Sequence, residues 1–199
     1  MGSGYIICEY EKIKETFPYF AQVMAALKAG LIAKAQLDWP SMGFTPPGLN
    51  PKSGEFGLST IMPQLFNDMS GNRLVTWHQD LTALGHQTIM TGAGGAATIA
   101  EDYKVGICGL AFLDKVQRIT EIKMQISDKK LPRINIEEAM AYNKPTVIFE
   151  DYYILDEETS FDLYGYVEAT GPQRIKLVGL EANRVPNKLQ ISAPGAALT

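Results

Sequence analysis

The sequence predicts a mainly β protein, an antiparallel β-sandwich of the jelly-roll or Greek-key type with an N-terminal α-helix. From about residue 72 apolar residues recur with a period of two, and turn residues interrupt them every 10 to 20 residues or so. A single helical pattern stands apart, before residue 40. Strands and helices do not alternate over long stretches, so a parallel sheet is not expected.

The helix is predicted within residues 19–40, YFAQVMAALKAGLIAKAQLDWP. Five apolar residues keep the i, i+3, i+4, i+7 spacing of one helical face, namely Phe20, Val23, Met24, Leu27 and Leu31. Thr16 is the expected N-cap, and Pro18 suits the first turn. The pattern is compatible with an end near Gly30 or with an extension to Gln36.

Three roles are open for this helix. It packs on its own sandwich as an extension of the core, reaches across to a neighbouring subunit, or lies against lipid. Lys28 and Lys34 weaken the lipid alternative. If the apolar stripe meets a neighbour, the assembly contacts are Phe20, Val23, Met24, Leu27 and Leu31. Deletion of residues 1–38 would then leave a folded sandwich that no longer assembles.

A connector at residues 40–57 contains four prolines among its glycines, so we expect neither a helix nor a central strand there. Long connectors are uncommon in compact domains and often carry contacts. We therefore expect an N-terminal helix and Pro/Gly-rich arm (residues 1–57), a β-sandwich domain (58–190) and a flexible tail (191–199).

The strand patterns of the sandwich domain follow one another in regular order. They are NRLVTWHQDL, HQTIMTG, YKVGICGLAFL, TEIKMQI, KPTVIFED, TSFDLYGYVEA and QRIKLVGLEANRV. The third is almost wholly apolar, as expected of a strand that is buried on both faces. The last two are expected to form a hairpin around the turn TGP, and NIEEAMAYN is a short helical piece.

TSFDLYGYVEA separates two kinds of side chain. Phe161, Leu163, Gly165 and Val167 share one face, and Asp162, Tyr164, Tyr166 and Glu168 share the other. Tyr164 and Tyr166 are therefore candidates for a face that binds a sugar or a protein. Ordinary strand packing is the alternative, because aromatic residues favour strands.

No catalytic constellation is recognisable, so we expect no enzyme, no cofactor and no metal site. His78 and His86 stand on either side of a predicted turn, and neither Cys8 nor Cys108 lies at ligand spacing from them. Both cysteines are expected to be free. The turn TGAGGAA lacks the Lys-Ser/Thr pair of a phosphate-binding loop.

Two acidic clusters remain, Glu150-Asp151 and residues 156–158 (Asp-Glu-Glu). Carboxylates on one loop lack the opposed geometry of glycoside hydrolases. A solvated loop is the expected role of residues 156–158, with weak calcium binding as the alternative.

The charge pattern argues against nucleic-acid binding. The net charge is −4, and neither end carries an arm rich in lysine and arginine. No signal-peptide pattern is visible, and the longest apolar stretch, residues 23–37, is too short and too charged to span a bilayer. We expect synthesis in the cytoplasm and a soluble chain or a component of an assembly.

The turn-strand-turn DKKLPRINIEE, the arm EETSFDLYGYV and the strand order across residues 72–186 carry a family resemblance. This region resembles the single-jelly-roll capsid proteins of tailless icosahedral viruses of thermophilic bacteria and archaea. The resemblance implies a self-assembling shell subunit of the virion, with copies of itself, a second shell protein and an internal membrane as partners. The alternative is a cytoplasmic β-sandwich module that binds a carbohydrate or protein ligand.

Overall fold

Two β-sheets and one α-helix make up the part of the chain that the computed structural model describes, residues 5–13, 18–61, 66–67, 77–90 and 97–185. The helix is α1 (Pro18–Asp38), and short 3-10 helices occupy Tyr10–Lys12 and Glu137–Ala141. The predicted mainly β class is confirmed. The helical piece expected in NIEEAMAYN is the second 3-10 helix.

The strands are β1 (Tyr5–Glu9), β2 (Gly43–Phe44), β3 (Glu55–Thr60), β4 (Phe66–Asn67), β5 (Trp77–Leu81), β6 (Gly85–Met90), β7 (Ala97–Ile99), β8 (Tyr103–Phe112), β9 (Ile119–Ile126), β10 (Lys129–Lys130), β11 (Ile134–Asn135), β12 (Pro145–Leu155), β13 (Ser160–Val167) and β14 (Gly171–Val185). Sheet A has the order β1-β12-β8-β14-β3-β2, and β5 also pairs with β14. Sheet B has the order β10-β9-β13-β7-β4, with β11 on β9 and β6 on β13. The β2–β3 pair is parallel, and the other described pairs are antiparallel.

The two sheets share one hydrophobic core. Fully buried aromatic rings from both sheets meet there, among them Phe112 and Phe149 of sheet A and Phe161 of sheet B. The predicted burial of YKVGICGLAFL on both faces is confirmed, because every residue from 104 to 112 is buried. One side of β8 faces this core, and Cys108 on its other side lies under α1.

Helix α1 packs on the outer face of sheet A. Its buried residues are Val23, Leu27, Leu31 and Ala35. The helix continues through Gly30 and ends at Asp38, beyond both predicted ends. A Cβ at Gly30 would lie 2.5 Å from the hydroxyl of Tyr152, so the missing side chain lets helix and sheet approach closely. The expected N-cap, Thr16, lies outside the described residues.

The expectation that the helix comes first is wrong, because β1 precedes it. Strand β1 pairs with the edge of β12, from Tyr5 opposite Phe149 to Glu9 opposite Pro145. Only Ile6, Ile7 and Cys8 are apolar in this short strand, and charged residues follow at once. Its sequence therefore lacks the long alternation that marks the other strands.

The predicted hairpin of the last two strands is also wrong. Strand β13 pairs with β6, β7 and β9, whereas β14 pairs with β3, β5 and β8. The turn between them therefore carries the chain from sheet B to sheet A. Arg118 supports this crossing, since its Nε donates to the carbonyl of Thr170 at 3.0 Å and its own carbonyl accepts from the N–H of Glu168 at 2.9 Å.

The predicted connector, tail and free cysteines can also be compared with the structure. The connector contains β2 and the first residues of β3, so the domain boundary expected at residue 57 falls inside a strand of sheet A. The tail expected at residues 191–199 lies outside the described residues. Cys8 and Cys108 are free, as predicted, and both are buried; burial raises the pKa of Cys108 to about 12.

Candidate interaction surfaces

The outer face of sheet B gathers aromatic and charged side chains in rows across its strands. In one row, Tyr166 of β13 lies between His86 of β6 and Glu121 of β9. The rings of His86 and Tyr166 meet edge to face, with centroids 5.0 Å apart. In the next row, Tyr164 lies opposite Lys123 of β9. His86 is a residue of β6 and lies beside the predicted ligand face.

Tyr164 and Tyr166 point away from the core, and Phe161, Leu163, Gly165 and Val167 point into it, as the alternation predicted. Tyr166 is 39% exposed. Tyr164 is half-buried, and its hydroxyl donates to Asp162 at 3.4 Å. Burial first, and then the negative charge of Asp162, raise the pKa of Tyr164.

A basic hollow of about 290 Å³ opens on one half of this face. Its positive side chains are Lys123, Lys130 and Arg133, and Tyr164 lies among them. Arg133 pairs with Glu121 at 3.3 Å. No ion pair between described residues includes Lys123 or Lys130, so both ammonium groups are available to an outside partner.

An acidic hollow of about 300 Å³ adjoins it and shares His86 and Glu121 with it. Glu137 and Glu168 add two further carboxylates, and Tyr166 borders the same space. Thr120 donates to Glu168 at 3.3 Å. The face therefore changes sign along the strand direction, from lysines to glutamates.

The fold buries part of the apolar stripe of α1 that was predicted to mediate assembly and leaves the rest partly exposed. Val23, Leu27 and Leu31 are buried against sheet A of the same chain. Phe20 and Met24 are half-buried and border a hollow of about 410 Å³ beside β14. Only these two members of the stripe adjoin open space, and their role in assembly stays a prediction.

Exposed apolar side chains lie on three connections at one end of the sheets. They are Leu84 between β5 and β6, Val116 between β8 and β9, and Met140 and Tyr142 before β12, which are 66%, 56%, 44% and 39% exposed. Hydrogen bonds place two of these connections beside strand ends: the N–H of Ile136 donates to the carbonyl of Thr120 at the start of β9, and the N–H of Leu113 donates to the carbonyl of Arg174 near the start of β14. Leu81, which ends β5, lies opposite Gly171. We name this region the apolar end.

The acidic loop at residues 156–158 lies at the opposite end and belongs to a network of ion pairs. The Lys104 side chain is 2% exposed, and its ammonium lies 2.6 Å from Asp38 and 2.9 Å from Asp156. Lys34 pairs with the same two carboxylates, at 2.9 and 3.4 Å. Hydrogen bonds from Lys104 and then Lys34 lower the pKa of Asp38. We name this region the ionic end.

Arg184 completes the ionic end. Its guanidinium lies 2.5 Å from Asp102 and 3.1 Å from Glu157. The indole N–H of Trp39 donates to Glu157 at 3.0 Å, and the ring lies beneath both Lys104 and Arg184. Asp156 and Glu157 thus face cations of the same chain. No cluster of metal-ligating side chains is found among the described residues.

The sequence patterns did not reveal this network. A lysine at the start of an apolar run, such as Lys104, is normally interpreted as an exposed residue at the end of a strand. One sequence feature could have indicated the network. Lys104 lies within the strand pattern YKVGIC, whose residues are buried from position 104 onwards. The side chain of His78 lies outside the described residues.

Comparison with known proteins finds no matching family model, no matching curated protein and no matching solved structure. Among the described helices, none has the length and apolar character needed to cross a bilayer. The function of the chain is therefore inferred from the surfaces described above.

Proposed function

We propose that this chain is a structural, self-assembling protein, the subunit of a viral capsid of the single-jelly-roll kind, and not an enzyme. The order of the strands in the two sheets supports this proposal. In sheet A the pairing runs β5-β14-β8-β12, and in sheet B it runs β6-β13-β9-β10. Eight strands that alternate in this way between two facing sheets are typical of a jelly roll, an architecture of viral capsid and lectin domains.

The apolar end is the observation that carries the proposal. Soluble monomers rarely expose large apolar side chains close together, and such patches commonly mark contacts with other proteins. Leu84 and Val116 are each more than half exposed, and they lie on connections that meet at one end. Burial of these side chains against copies of the same chain removes them from water, which favours assembly.

The partners proposed are therefore copies of the chain, within a virion. A second shell protein and an internal membrane are further partners that the resemblance implies. Direct binding of nucleic acid is not part of the proposal.

The assembly test measures particle mass by light scattering and images the same fractions by negative-stain microscopy. We expect closed shells, tubes or rings from the wild-type chain. The double variant Val116→Lys/Met140→Lys should assemble at least about tenfold more weakly, because charged side chains cannot be buried there. The matched control is Leu37→Lys/Leu49→Lys, which adds the same two charges at apolar side chains that are 74% and 66% exposed and lie away from the apolar end.

The second candidate function is a binding module for a carbohydrate or a protein. It is favoured by the paired hollows beside Tyr164 and Tyr166. A chain that stays monomeric at every concentration contradicts the shell. If that monomer also binds glycans on an array, and Tyr164→Ala abolishes the binding, the module is the correct function.

A further inference from the structure

We infer that the outer face of sheet B is a two-fold contact between two copies of this chain. The inference deepens the proposed function and rests on it, because the second copy is another shell subunit. The observation behind it is that the basic and acidic hollows adjoin on one face and differ in sign.

The charges of the two hollows balance. Lys123, Lys130 and Arg133 line the basic hollow, Glu137 and Glu168 line the acidic hollow, and Glu121 lines both. Arg133 and Glu121 already pair within the chain. Two ammonium groups on one half and two carboxylates on the other are then left for a partner.

The separation of the charges follows the strands. Cross-strand pairing places Glu121 in the row of Tyr166 and Lys123 in the row of Tyr164. Alternate residues of a strand are about 7 Å apart, so the sign changes between neighbouring rows. Lys130 lies opposite Gln125, one row further on the basic side.

A two-fold axis fits this pattern. An isologous contact uses the same patch on both copies, so the patch must be complementary to itself. An axis that lies in the contact plane and crosses the strands between Tyr164 and Tyr166 turns each copy over onto the other. The basic half of one copy then lies over the acidic half of its partner, and the reverse holds on the other side of the axis.

The centre of the face suits a contact as well. Tyr166 is 39% exposed, and the side chain of His86 beside it is 59% exposed. Aromatic residues are enriched at the centres of protein interfaces, and charged residues are enriched at their rims. The axis passes beside these rings, with the lysines on one flank and the glutamates on the other.

The test uses two variants of the full chain that each reverse one half of the face. Lys123→Glu/Lys130→Glu reverses the charge of the basic half, and Glu137→Lys/Glu168→Lys reverses the charge of the acidic half. Each alone should weaken self-association about 100-fold or more in analytical ultracentrifugation, because like charges then oppose each other. An equimolar mixture should recover association, and so should the quadruple variant, in which the pattern is inverted but again self-complementary.

Thermal unfolding measures whether each variant remains folded, and Lys28→Glu/Lys52→Glu controls for the net charge of the Lys123→Glu/Lys130→Glu variant. Variants that associate as the wild type does overturn this contact and leave the shell proposal standing. The contact is also overturned if both variants lose association and their mixture does not recover it. A wild-type chain that is monomeric at every concentration overturns both proposals.

Discussion

At the scale of single residues, two glycines set how closely the helix approaches sheet A. Gly30 faces the hydroxyl of Tyr152, and a Cβ at Gly106 of β8 would collide with Leu27. Both glycines occupy elements whose interiors usually disfavour glycine. Close packing of α1 therefore depends on the side chain that each position lacks.

Gly30→Ala should lower the free energy of unfolding by up to about 2 kcal/mol. Alanine is normally better than glycine inside a helix by about 1 kcal/mol, but overpacking costs about 1 to 3 kcal/mol. Urea denaturation measures the difference. Tyr152→Phe removes the nearest atom, so Gly30→Ala should cost less in that background. A variant more stable than the wild type would show that Tyr152 moves aside freely.

Residue patterns predict which way a side chain points better than they predict which residues it meets. The alternation of β13 placed Tyr164 and Tyr166 on the outer face, because a strand has a strict period of two. His86 beside Tyr166 was not predicted, since the pairing of β6 with β13 joins segments that are far apart in sequence. The partners of Lys104 were hidden for the same reason.

At the scale of elements, the ionic end fastens α1 to the sheet beneath it. Asp38 ends the helix, Lys104 begins β8, and Asp156 follows β12. Three elements thus share one buried ammonium, whose positive charge is balanced by two carboxylates. An unpaired ammonium at this depth would be strongly unfavourable.

Acid should loosen this junction. The pKa of Asp38 lies below its ordinary value of 3.8 in the folded chain. A carboxyl group with a lowered pKa contributes stability above its unfolded pKa, and that stability is lost as pH falls through the folded value. The free energy of unfolding should therefore decrease as pH falls through about 4 and below.

Urea denaturation at a series of pH values measures this dependence. Asp38→Asn should unfold more easily at neutral pH and show a shallower loss of stability in acid. Asp128→Asn, on an exposed turn, is the matched control and should keep the wild-type slope. Parallel curves for the wild type and Asp38→Asn would show that the junction does not depend on this charge.

At the scale of the whole molecule, strand β1 and the helix belong to the same body as the sheets. Leu27 and Leu31 are fully buried, and β1 pairs along β12. The sequence suggested a separable arm, because a Pro-rich connector often marks a boundary. The proline and glycine content of the connector indicates only that this segment is neither a helix nor a central strand. It does not indicate which surface the preceding helix packs against.

Deletion of residues 1–38 should therefore give an insoluble or molten chain, contrary to the folded sandwich that the sequence suggested. Burial of each leucine contributes about 1.5 to 3 kcal/mol, and the deletion also exposes Cys108 and Ile148. Size-exclusion chromatography and binding of a hydrophobic dye measure the outcome. Deletion of residues 1–4, which precede β1, is the control. A soluble, cooperatively folded product would show that the sheets are stable alone.

Local periodicity predicted the mainly β class and most of the long strands, because each strand's pattern is contained within its own segment. It could not predict that β13 and β14 lie in different sheets. Both strands bury one side in the common core. Two strands that pair within one sheet therefore show the same alternation of apolar and polar residues as two strands that face each other across the core. Arg118, which lies outside both strands, forms hydrogen bonds with the turn at this crossing.

The difference between the apolar end and the ionic end makes the molecule a directional building block. The buried ion-pair network around Lys104 lies at one end, and the exposed side chains of Leu84, Val116, Met140 and Tyr142 lie at the other. Copies laid side by side in the same orientation would present chemically unlike upper and lower surfaces. In the proposed shell, contacts that bury Leu84 and Val116 at one surface only would favour curvature towards that surface.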